Sequence, residues 1–123
     1  MAAGIATLKA LQVAGVWQKV ADTAVTLTNA IQHAAQSAGV PVQINRVGTM
    51  FTTFFTDQPV TDWDLAAKSD TAKFGRAFQI LLENGVYLPP SQFEACFLST
   101  EHSQAEIEQT VAAFERAFTA VTH

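Results

Sequence analysis

Residues Gly85–Phe97 read GVYLPPSQFEACF, and how this stretch folds decides what kind of domain the chain makes. Gly85 follows an apolar run that ends at Leu82, in the place where a glycine closes a helix in the left-handed conformation. Val86 to Leu88 then reads as a short strand. Pro89 and Pro90 break it, because proline donates no ladder hydrogen bond, and Gln92 to Leu98 alternates again. Glu94 lies between Phe93 and Ala95 in that second strand. A carboxylate among apolar neighbours must be solvated, paired or shifted in pKa, and such groups gather at functional sites. The commonplace alternative is a solvated or paired strand residue.

Working outward, the preceding helix predicted over 70–84 carries Phe74, Phe78 or Ala77, Leu81 and Leu82 on one face, with Ser69 or Asp70 as its cap. Before it, 57–64 holds Pro59 and polar residues and reads as a loop. Gln43 to Thr56 is rich in β-branched and aromatic residues: Val47, Phe51, Thr53 and Phe55 alternate against Met50, Thr52 and Phe54, with Gly48 marking a bulge or turn. At the N-terminus, Ile5, Leu8, Leu11, Val16, Val20, Ala24, Leu27, Ile31 and Ala34 recur every three or four residues, the period of a helix with one buried face. This predicts a long helix over about 1–38, kinked or broken at Gly15 and ended by Gly39 and Pro41. Downstream, Ser103 and Glu106 have the spacing of a capping box, opening a last helix with Ile107, Val111, Phe114, Phe118 and Val121 on one face.

The order is a long helix, strands, a helix, two short strands and a helix. It predicts a single α+β domain over 1–123, a small mostly antiparallel sheet covered by helices, with the part after the long helix spanning about 40–123. Pattern alone does not separate this from a ferredoxin-like module. A chain of 123 residues has room for one core, with about 65% of its unfolded surface removed from water. Hydrophobic residues make up 49% and charged residues 15%, against about 25% charged in an average domain. The excess suggests apolar surface meant for a neighbour.

The net charge of −4 and pI near 5.1 leave no basic patch to neutralise a row of phosphates, so no nucleic acid is expected. No apolar run reaches the ~20 residues that cross a bilayer, and no signal or transit pattern opens the chain. The single cysteine, Cys96, allows no internal disulfide and reads as a packing residue of a reducing compartment. A soluble, cytoplasmic chain is the expectation. No metal is expected, because His33, His102 and His123 share no ligand spacing; His102 reads as a side chain at a helix start. Neither a nucleophile elbow, a P-loop nor a GxGxxG sequence occurs.

GVYLPPSQFEACF closely resembles a GVYLAPSQFEA-type segment in the small C-terminal domain of the glutamate-1-semialdehyde aminomutases, members of the pyridoxal-phosphate (PLP) aminotransferase superfamily. Gly48–Val60 (GTMFTTFFTDQPV), Ala67–Phe74 (AKSDTAKF), His102 with the final helix, and the opening MAAGIATLKALQ resemble the same family in order. Pro89 departs from the alanine usual there and stiffens the turn. The resemblance implies the small domain of the type I aminotransferase fold. It also implies a parent enzyme using pyridoxal or pyridoxamine 5'-phosphate to isomerise glutamate-1-semialdehyde to 5-aminolevulinate in tetrapyrrole synthesis.

By the same resemblance, Glu94 faces the active site and controls how the substrate carboxylate meets an arginine of the large domain, and Ser91 and Gln92 belong to the site wall. The partners implied are the N-terminal and large PLP-binding domains of the parent, itself a homodimer, in the cytoplasm or, for a plant or alga, a plastid. The family's cofactor lysine has no counterpart among Lys9, Lys19, Lys68 and Lys73, so no cofactor and no activity are expected for these residues alone. Met1 matches an internal methionine of the family pattern, as in a domain cut from a longer chain. Another class III aminotransferase and a non-catalytic interaction domain remain the alternatives.

Overall fold

The computed structural model describes residues 1–122. Helix α1 (Ala2–Leu11) stops short of Gly15, whose φ of 86° puts it in the left-handed region, and α2 (Val16–Ala38) starts there. The long N-terminal helix is therefore two helices, parted at the glycine. On α2, Val20, Ala24, Leu27, Ile31, Ala34 and Ala35 are buried, as the period requires. On α1 nothing is buried, and Ile5 and Leu8 are exposed although they continue the same stripe. The apolar period is present there, but no layer of these residues covers it.

Gly39, at φ 69°, closes α2 in a Schellman motif, with its N–H on the Gln36 carbonyl and that of Val40 on Ala35. β1 (Gln43–Val47) and β2 (Met50–Phe54) form an antiparallel hairpin with Val47 opposite Met50. The two-residue loop between them has a left-handed Gly48 at φ 59°, as a type II′ turn needs at its first position. This loop places Val47 on the outer face with Met50, not with Phe51 and Thr53 as unbroken alternation would have it. β3 (Cys96–Phe97) adds to the other side of β2, with Phe51 opposite Cys96. The sheet is thus three antiparallel strands in the order β1-β2-β3.

Two expectations in the deciding stretch change. Val86 to Leu88 is not a strand, and alternation over 92–98 yields only Cys96–Phe97, because Ser91 to Glu94 forms a turn. The loop over 57–64 contains the start of a one-turn helix, α3 (Trp63–Ala66), whose Asp62 side chain accepts from the Leu65 N–H at 2.9 Å. Helix α4 (Thr71–Glu83) is capped by Asp70, with Oδ1 accepting from Lys73 N–H at 2.8 Å, while Ser69 is buried beneath the cap. α4 ends in a second Schellman motif, Gly85 N–H to the Leu82 carbonyl and Val86 N–H to Leu81. Phe74, Ala77 and Leu81 face inward; Leu82, expected on that face, is exposed.

Helix α5 (Gln104–Val121) is the centre of the molecule, packed between α2 and α4. Its Phe114 and Phe118 are among the largest fully buried side chains, and Phe118 meets Phe55, itself edge-on to Phe74. The helices cover one face of the sheet through Phe51, Ile44 and Cys96. The outer face is covered in part by the 57–66 segment, which buries Phe54 against Val60 and Ala66 and is tied down by Asn45 Nδ2 donating to the Val60 carbonyl at 2.7 Å. Val47, Met50 and Phe97 on that face stay exposed.

Candidate functional site

The turn at 91–94 is built by its own side chains. Ser91 Oγ accepts from Phe93 N–H at 3.2 Å, and Glu94 N–H donates to the Ser91 carbonyl at 3.2 Å. The turn is then fastened at two points to β2. Thr52 Oγ1 donates to the Glu94 carbonyl at 3.2 Å, and Gln92 Oε1 accepts from Phe55 N–H at 3.3 Å. The Phe55 carbonyl takes the Asp70 N–H at 2.9 Å, so the residue just past β2 is shared between this turn and the cap of α4. Phe93 packs edge-on to Trp63, ring centroids 5.2 Å apart, which ties the turn to α3 as well.

These contacts divide the motif. Glu94 is exposed, at the rim of a half-open hollow of about 380 Å³ shared with Tyr87, Leu88, Cys96, Phe97 and His102. Ser91 is half-buried and serves the turn. Gln92 is 3% exposed, its amide turned inward, and its Nε2 has no acceptor among the described residues. Thr53 Oγ1 and Ser69 Oγ are also buried with no hydrogen-bond partner among the described residues.

Cys96 is half-buried in the same hollow. Burial pushes its thiol from 9.0 up to about 11, and the charge of Glu94 pushes the same way. It is a packing group without a reactive thiolate near neutrality. His102 Nδ1 accepts from Ser99 N–H at 3.0 Å, stapling the turn before α5. Ser103 N–H donates to Glu106 Oε2 at 2.9 Å and the Ser103 hydroxyl donates to the same oxygen, so the expected capping pair forms. His33 is exposed on α2, and His123 lies outside the described residues. Among the described residues no three His, Cys, Asp or Glu side chains gather in a way that could hold a metal, and no helix is long and apolar enough to cross a membrane.

The hollow offers a carboxylate over a mainly apolar wall with a tyrosine and a histidine at its edge. Such a rim repels an approaching carboxylate and attracts an ammonium group. A PLP cofactor would need a lysine amine, an acid for its ring nitrogen and donors for its phosphate. Lys9, Lys19, Lys68 and Lys73 stand elsewhere on the surface, and none of them lines the hollow or the cleft behind it. The described residues do not fit the cofactor by themselves, so no chemical step through it is assigned to them.

Glu94, expected in a strand, lies at the end of the turn, and the pairing of Gln92 with Phe55 has no signal in the sequence. The Asp62 cap of α3 was legible in the residues Asp62 to Leu65, where an N-cap acid precedes a good helix former.

The fold is that of the C-terminal domain of PLP-dependent aminotransferases. An ω-transaminase from Sphaerobacter thermophilus superposes with a TM-score of 0.79 at 25% identity, over 87% of this chain and 24% of that one. The FumI protein of Sphingopyxis sp. MTA144, solved in its PLP internal aldimine form, matches with a TM-score of 0.77 at 25% identity over 98% of this chain and 26% of that one. By sequence, the chain is homologous to the glutamate-1-semialdehyde 2,1-aminomutases. The enzyme of that name from Citrifermentans bemidjiense is 46% identical over 121 residues, 98% of this chain. The chain spans only 28% of that relative's length. No family model matches the chain.

Proposed function

We propose that these residues form the C-terminal wall of the active site in a glutamate-1-semialdehyde 2,1-aminomutase, a PLP-dependent enzyme that isomerises its substrate to 5-aminolevulinate for tetrapyrrole synthesis. The observation that carries this is homology at 46% identity over 98% of the chain, across the segment that holds the turned-out Glu94. Glu94 governs how the substrate's carboxylate settles against a cation supplied by the large domain, with Ser91 and Gln92 in the turn that presents it. The N-terminal and large domains supply the lysine, the cofactor's acid partner and its phosphate donors. The parent works as a homodimer in the cytoplasm, in keeping with a lone cysteine and no disulfide.

Glu94→Ala in a full-length aminomutase carrying this segment is expected to change the KM for glutamate-1-semialdehyde or the balance of pyridoxal and pyridoxamine forms. The 123 residues alone are expected to make no 5-aminolevulinate. Unchanged kinetics and cofactor balance in the variant would remove Glu94 from the site. A second reading, another class III aminotransferase, is favoured by the transaminase likeness. Amino transfer to an added keto acid at a rate exceeding isomerisation would decide for it.

A further inference from the structure

We propose that Gln92 is a positioning residue which holds Glu94 in place from behind the wall, through its hydrogen bond to the Phe55 backbone. Its functional weight rests on the role proposed above for Glu94; its geometry does not. Gln92 is 3% exposed and presents no polar group to the hollow's mouth. It reaches across 37 residues to the N–H of Phe55. Phe55 is itself fixed, by its ring against Phe74 and Phe118 and by its carbonyl on the Asp70 N–H. The turn between Gln92 and Glu94 is short, so an anchored Gln92 leaves Glu94 little freedom beyond its own rotamers.

The other fastening, Thr52 Oγ1 to the Glu94 carbonyl, is at the surface and is exchangeable with water. The buried amide is the anchor that water does not replace. A methionine would fill the same volume. What the glutamine adds is the acceptor for the Phe55 N–H, which a methionine would leave buried without one.

The chain carries its own reporter. Cys96 is the only cysteine, lines the hollow with Glu94, and feels that carboxylate's charge. The experiment is titration of the Cys96 thiolate through the pH dependence of its alkylation, read at Cys96 by peptide mass spectrometry, in the 123-residue chain as wild type, Gln92→Met, Glu94→Gln and the double variant. Gln92→Met is expected to shift the midpoint down, in the same direction as Glu94→Gln and by no more than it does, with no further shift in the double variant.

An unchanged midpoint in Gln92→Met overturns the proposal. So does an equal downward shift when Glu94 is already glutamine, because that would mean Cys96 had merely become more exposed. Amide hydrogen exchange in the wild type decides the matter if Gln92→Met does not fold: Phe55 should be as protected as the core of β2, and an unprotected Phe55 amide overturns the clamp. The midpoint reads the position of Glu94 and not turnover, so the clamp and the aminomutase role can fail separately.

Discussion

A thiol and a carboxylate share one hollow, an amide lies buried behind its wall, and each is decided by a different physical term. Solvent access rules Glu94, a single buried hydrogen bond rules Gln92, and desolvation rules Cys96. For Cys96 the consequence extends to stability. Its folded pKa is raised from 9.0 to about 11, so the folded chain holds the proton more tightly than the unfolded chain. The contribution is complete below about 9 and is lost as pH rises through about 11. The urea midpoint of the wild type is therefore expected to fall across that window by more than that of Cys96→Ala. Parallel curves would show that Cys96 titrates alike in both states. Nothing in the residue's own neighbourhood of sequence reveals this: a cysteine in an apolar stretch reads as packing, and the Glu94 charge beside it depends on the turn.

The elements owe their ends to local chemistry, and there the sequence was most legible. Gly15, Gly39 and Gly85 all adopt positive φ at the ends of helices, and Asp70 and Ser103 stand at the N-caps expected of them. The pairing of Ser103 with Glu106 also makes a pH prediction. Hydrogen bonding by Ser103 holds the Glu106 carboxyl below its ordinary 4.5. A depressed folded value stabilises the chain above the ordinary pKa and loses that contribution as pH falls through the depressed one. Ser103→Ala is expected to lower stability at neutral pH, and the gap from wild type should narrow in acid. A urea-midpoint series against pH checks both, and a gap that persists at acid pH would place the cap's worth elsewhere. The structure departs from the expected elements at Val86–Leu88 and at 57–64, where the segments are short and a few residues do not fix a period.

For the whole molecule, the division is between a packed body around α5 and a helix that touches little of it. Phe118 is fully buried, whereas α1 has no buried residue. Removing residues 1–12 is expected to leave the urea midpoint nearly unchanged, while Phe118→Ala should cost about 3–5 kcal/mol. A large loss on truncation would show that α1 docks on the body. The exposed Ile5, Leu8, Leu82, Val47, Met50 and Phe97 sit on a chain that spans 28% of its homologue's length. By itself the sequence determined the α+β class, the helix on either side of the turn, the caps and glycine stops, and the family likeness, because these rest on contacts a few residues apart or on a motif read in line. Only the tertiary structure decided which apolar stripes are covered, that Val47 faces outward, and that Gln92 turns inward to Phe55 while Glu94 turns out. Period reports that a face is apolar but not what lies against it, and a hydrogen bond across 37 residues exists only once β2, α4 and the turn have met.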